Sequence, residues 1–135
     1  MADRILIVDD EPDVGKVLKE ALEDDGFQTD AVLSGEEALE ALKTTRYQAI
    51  LVDVRLGGAV SGIDVIRRAG GLTERPALVV ISATPENLLA PIFEKEGIGG
   101  LVDRSLEKPG DLNPDVVPRL VKAVLEKHRR GKPRE

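Results

Sequence analysis

An α/β fold built on a parallel sheet is predicted by three observations. Short apolar runs alternate with segments of helical periodicity along most of the chain, which argues for strand–helix–strand crossovers. The runs Ile5-Leu6-Ile7-Val8, Ala49-Ile50-Leu51-Val52 and Ala77-Leu78-Val79-Val80-Ile81 are apolar throughout rather than alternating, as strands covered on both faces are. Each then stops on polar residues: Asp9-Asp10, Asp53 and Ser82.

The elements follow in order. After the first strand, Val14, Val17, Leu18, Ala21 and Leu22 share one helical face, with Pro12 in the first turn and Gly26 beyond the end. A second strand over 28–32 leads to Ser34 and Glu37, spaced as a capping box ahead of Ala38, Leu39, Ala41 and Leu42. The third strand ends at Asp53. A loop containing Gly57-Gly58 and Gly62 precedes a short helix over 63–68, which Gly70-Gly71 closes. The fourth strand covers 77–81, and Gly99-Gly100-Leu101-Val102 is the expected fifth. Pro85 suits the start of the fourth helix, but Pro91 inside it costs about 3 kcal/mol. That helix is expected to be short, bent, or to begin near Pro91. Asn113 and Pro114 open the last helix, whose buried stripe is Val116, Val117, Leu120, Val121 and Val124.

The 135 residues make one domain, taken as 1–127, followed by a basic end over 128–135; Lys127, at the close of the domain, runs into His128-Arg129-Arg130, Lys132 and Arg134. Cations at a helix C-terminus are favoured by its dipole, which accounts for this end; a partner-binding tail or the stub of a linker is the alternative. Without cysteine, the chain has neither disulfides nor a thiolate metal site, and one histidine removes most other transition-metal designs. His128, far along the chain from the acids, is expected on the surface. The net charge of −6 opposes nonspecific nucleic-acid binding and favours protein partners. No apolar stretch approaches the roughly 18 residues of a membrane span, and the N-terminus resembles no secretion signal, so the cytoplasm is the expected location.

If the first and third strands are neighbours, Asp9, Asp10 and Asp53 meet at one sheet edge. Two unit charges about 4 Å apart repel by roughly 4 kcal/mol at an effective dielectric near 20. Folding alone does not select such crowding. A hard divalent cation with oxygen ligands converts it into binding, and Mg²⁺ suits a shallow carboxylate site that keeps several waters.

Taken together, Asp9-Asp10 after ILIV, Asp53 after AILV, Ser82 in VVISA, and Lys108-Pro109 resemble the receiver domain of two-component response regulators, the CheY-like family, over residues 3 to 127. The resemblance implies a five-stranded doubly wound sheet in the order 2-1-3-4-5 with helices on both faces. It implies that Asp53 is the phosphoacceptor, with Mg²⁺ held by Asp9, Asp10, Asp53 and the backbone carbonyl of Arg55. Ser82, with Ala83 beside it, and Lys108 would bind the phosphoryl oxygens. A histidine kinase or phosphotransfer protein would donate, a downstream protein would respond, and a homodimer is compatible with the same reading. Neither nucleic acid nor membrane is expected to bind the domain itself.

Four departures stand out. Gly57 occupies a position where receivers usually have proline, and the loop to Gly62 is longer than usual. Arg55 puts a cation beside the phosphoacceptor. The interval from Ser82 to Lys108 exceeds the usual spacing, which would fall on Arg104; the Lys-Pro-Gly-Asp-Leu run favours Lys108, with Arg104 as its alternative. Receivers commonly carry an aromatic three positions before the lysine, and here Ser105 falls there, or Leu101 if the insertion follows the strand. Phe27, Tyr47 and Phe93, the chain's aromatics, lie elsewhere. A module that kept the acids but interacts without phosphorylation is the competing reading. A phosphatase of the haloacid dehalogenase type is opposed by Arg55, since those enzymes carry an acid two residues after the nucleophile.

Overall fold

A computed structural model describes residues 2–131. Its five strands, β1 (Arg4–Val8), β2 (Gln28–Val32), β3 (Ala49–Asp53), β4 (Ala77–Ser82) and β5 (Arg104–Glu107), form one parallel sheet in the order β2-β1-β3-β4-β5. Between and after them run α1 (Pro12–Asp24), α2 (Gly35–Thr44), α3 (Gly62–Gly70), α4 (Glu86–Lys95) and α5 (Val117–Arg130). Both the parallel architecture and the strand order agree with expectation.

Side-chain parity divides the sheet into two cores. Ile5, Ile7, Ala49, Leu51, Ala77, Val79, Ile81 and Leu106 pack with residues of α1 and α5. Leu6, Val8, Ile50, Val52, Leu78 and Val80 pack with residues of α2, α3 and α4. This two-sided burial is why the central strands are apolar at every position. The same period of two places Asp9, Asp53 and Lys108 on the α1/α5 parity, and Ser82 on the other.

Helix ends follow local chemistry, with some differences from the sequence reading. Ser34 Oγ accepts the Glu37 N–H at 3.1 Å, while the Glu37 carboxylate reaches the Leu33 N–H at 3.3 Å. Ser61 and Asp64 form a full capping box for α3, which the sequence reading overlooked. In α1 the buried positions are Gly15, Leu18, Ala21 and Leu22; Val17, expected inside, is exposed because the helix turns Gly15 rather than Val17 toward the sheet. The last helix starts at Val117, later than expected. Asn113 instead caps a preceding turn, its side-chain oxygen accepting the Asp115 N–H at 2.8 Å. Val116 is consequently exposed, and Leu125 joins the buried stripe.

The larger corrections lie between β4 and β5. The expected strand over 99–102 is a single 3₁₀ turn, Gly99–Leu101, and β5 begins at Arg104. Two adjacent glycines are poor strand formers, whereas Arg104–Glu107 is an edge strand with one fully buried side chain, Leu106, and so lacks an apolar run. The α4 helix contradicts the expectation of a short, bent or late-starting helix: it begins at Glu86, right after Pro85, and passes through Pro91 without a break to Lys95. Leu89 and Phe93 anchor it, and Pro91 and Asn87 lie on its exposed side, where water can satisfy the carbonyl that proline leaves free. His128, Arg129 and Arg130, read as the start of a tail, form the last turn of α5, where its dipole favours cations. Lys132 and Arg134 lie outside the described residues.

Candidate functional site

The strand register brings the acids together. Val8 pairs with Val52, so Asp9 and Asp53 leave adjacent strands at the same level, and Asp53 itself pairs with Ile81, one residue before Ser82. Carboxylate oxygens of Asp9, Asp10, Glu11 and Asp53 all lie within 4.8 Å of one another. Asp9 and Asp53 are buried, whereas Asp10 and Glu11 are exposed at the rim.

Backbone donors orient this cluster. Asp9 Oδ1 accepts the Glu11 N–H at 2.9 Å, Asp53 Oδ1 accepts the Arg55 N–H at 2.9 Å, and Asp10 Oδ2 accepts the Gly57 N–H at 3.3 Å. The glycine-rich loop after β3 therefore closes over Asp10. Its far end is held as closely: a Cβ at Gly62 would collide with the Asp53 carbonyl oxygen, so only glycine lets α3 start there. Ser82 is buried at the end of β4, and its Oγ accepts the Thr84 N–H at 3.0 Å. Ala83 beside it is exposed.

Lys108 enters from the end of β5. Its Nζ hydrogen-bonds Asp53 Oδ2 at 2.9 Å and Glu11 Oε1 at 3.1 Å, and stands 2.8 Å from Asp9 Oδ2. Arg104 lies on the same side of β5 but at the opposite end; four residues of strand separate the two positions by about 13 Å. The geometry thus brings Lys108, and not Arg104, to the acids. Lys108 follows β5 directly, so the extra residues before the lysine lie between β4 and β5. Ser105 accordingly occupies the position three before Lys108, while Leu101 packs over Gly70 of α3.

The electrostatics are lopsided. Burial pushes the Asp9 carboxyl above its usual range, and Asp53 adds to that push against the opposing Lys108 ammonium and Glu11 N–H. Burial alone would lower the Lys108 pKa, but Asp9, Asp53 and Glu11 outweigh it and the net displacement is upward, so the lysine stays charged. Asp9 Oδ2 is buried and accepts no directed hydrogen bond; its close approach to Lys108 is a Coulombic contact. A buried carboxylate oxygen with unused lone pairs, among further carboxylates, fits a hard divalent cation.

Glu11 was missed as a site residue, although its place directly after the acid pair and before Pro12 was a usable signal. His128, expected on the surface, is half-buried instead. Its Nε2 lies 2.9 Å from the Arg75 carbonyl oxygen, because α5 lays this turn against the start of β4.

A model of the response regulator receiver domain matches residues 5–113. Sporulation initiation phosphotransferase F of Bacillus subtilis is 29% identical over 113 residues, covering 84% of this chain and 87% of that protein. The phosphate regulon transcriptional regulatory protein PhoB of Rhizobium meliloti is 34% identical and matches 98% of this chain, which spans 55% of that regulator's length. Among solved structures, a CheY-like response regulator receiver domain from Methylobacillus flagellatus superposes with a TM-score of 0.76 at 30% identity, over 92% of this chain and 99% of that one. A receiver domain protein from Methanospirillum hungatei reaches 0.82 at 20% identity, covering 98% and 100%, and shows the same fold.

Proposed function

The chain belongs to the response regulator receiver family of two-component signalling, and we propose that it accepts a phosphoryl group on Asp53 from a histidine kinase or phosphotransfer protein, in a Mg²⁺-dependent reaction in the cytoplasm. The observation that carries this reading is the convergence of Asp9, Asp10 and Asp53 with Lys108, whose ammonium touches the carboxylate proposed to react. Asp53 is the nucleophile. Its Oδ1 is held by the Arg55 N–H, which sets the carboxylate plane without removing its charge.

Asp9, Asp10, Asp53 and the Arg55 carbonyl would hold Mg²⁺, which when bound supplies positive charge to the transferring phosphoryl oxygens. Lys108 pairs with one such oxygen as a point charge, and the Ser82 hydroxyl, whose oxygen accepts the Thr84 N–H, donates its proton to another. Phosphorylation adds nearly two negative charges at one place. Ser82 starts the segment leading into α4, so its movement transmits the change to the surface around α4, β5 and α5, where a downstream protein binds. The chemistry is self-catalysed acceptance and hydrolysis of one phosphoryl group rather than turnover of a substrate.

Incubating the chain with acetyl phosphate and Mg²⁺ tests this by intact mass. The expected gain is one phosphoryl group, abolished by Asp53→Asn and by chelation of the metal. An unchanged mass for the wild-type chain would favour the phosphorylation-independent module.

A further inference from the structure

We propose that Glu11 is an electrostatic gate on this site: it retains Lys108 among the acids before phosphorylation and slows loading by anionic phosphodonors that arrive without a protein partner. The inference rests on Asp53 being the phosphoacceptor. A lysine ammonium has three N–H donors. Two of those of Lys108 go to carboxylates, Asp53 at 2.9 Å and Glu11 at 3.1 Å, with Asp9 Oδ2 2.8 Å away as a Coulombic neighbour. A phosphoryl oxygen must compete with these carboxylates for the ammonium.

The three carboxylates are not equivalent. Asp9 and Asp53 are buried members of the candidate metal set, and the cation they would share with Asp10 relieves their demand on the lysine. Glu11 has a side chain 63% exposed, standing at the mouth of the site. Its backbone is fixed, with its N–H donated to Asp9 Oδ1 at 2.9 Å and Pro12 opening α1 directly after it. The Glu11 carboxylate thus stays beside the path of any incoming donor and competes with it for Lys108.

In the transfer itself, an Asp53 carboxylate oxygen forms the new bond to phosphorus as the bond from phosphorus to the donor's leaving atom breaks, an oxygen in acetyl phosphate and a protonated nitrogen in phosphoramidate or a phosphohistidine. The leaving group departs with that electron pair, as acetate when acetyl phosphate is the donor. Glu11 takes part in neither bond. It is a positioning residue that sets the charge at the entrance, so its effect scales with the charge of the donor.

The test compares initial rates of phosphorylation by intact mass, in saturating Mg²⁺, for the wild-type chain and Glu11→Gln. Glutamine keeps the size and an acceptor oxygen for Lys108 while removing the charge. With acetyl phosphate, E11Q is expected to react on the order of fivefold faster, the effect of one displaced charge near a partly solvated site. The gain should be smaller with phosphoramidate, whose net negative charge is lower, and should shrink as salt screens the gate. An E11Q rate equal to or below wild type, or a gain indifferent to both donor charge and salt, overturns the gate while leaving Asp53 as acceptor. A wild-type chain that takes up phosphate from neither donor overturns the phosphoacceptor reading beneath it.

Discussion

At the carboxyl ends of the strands four carboxylates face one ammonium, whereas at the amino ends acids, bases and backbone groups are matched nearly one for one. Around the foot of the sheet, Asp103 Oδ2 accepts the Leu78 N–H at 2.8 Å and faces His128 Nδ1 at 3.7 Å. Arg129 bonds Asp3, and the Tyr47 hydroxyl donates to Asp30 Oδ2 at 2.7 Å. Aspartates serve at both ends, and what differs is how many cations and donors meet them. Balanced charge ties strands and helices together; crowded, partly buried charge of one sign is held in place by the fold and becomes useful only when a cation or a phosphoryl group arrives.

Replacing the cation that bonds the acids at the crowded end should give the largest effect. Lys108→Met leaves Asp9 and Asp53 buried without their counter-ion, and the loss is expected to be about 3 kcal/mol in urea denaturation with chelator present. Added Mg²⁺ should recover much of it, since the metal takes over the neutralising role. At the foot, Asp103→Ala strands the Leu78 N–H and removes the acid facing His128. A loss of about 1–2 kcal/mol is expected, and it should not respond to Mg²⁺. If the metal rescued both variants equally, the contrast between the two ends would fail.

The smallest expected effect concerns Tyr47, whose phenol is pushed up to about 12 by burial and by the neighbouring Asp30 carboxylate. The folded chain thus holds this proton more tightly than the unfolded chain, so the associated stability is fully present below pH 10 or so and is lost as pH rises through about 12. With one tyrosine and no tryptophan, phenolate absorbance reports this group alone. The midpoint should lie near 12 in the folded protein and near 10 in denaturant, and Tyr47→Phe should lower stability by about 1 kcal/mol.

The central strands were legible because burial on both faces leaves a continuous apolar run, and their acidic stops located Asp9, Asp10 and Asp53. The edge strand was not: β5 covers one fully buried side chain, so its sequence reads as loop, and the glycine pair upstream drew the expectation away from it. Lys108 and Arg104 competed in the sequence because the long interval after Ser82 does not say where its extra residues lie, and β5 alone, ending just before Lys108, decides it. Val17 shows a similar limit, since a helical period identifies a stripe but not how far that stripe rotates toward the sheet.

Alternation of apolar runs and amphipathic segments was enough to specify a parallel α/β sheet, and the acids at strand ends were enough to specify where its chemistry lies. Those signals are local, set by burial and by backbone period. Which basic residue meets the acids, and that His128 is drawn inward, were decided by register and packing between segments far apart in the chain. Distances of that kind depend on how strands align and helices dock, and residue spacing along one segment does not encode them.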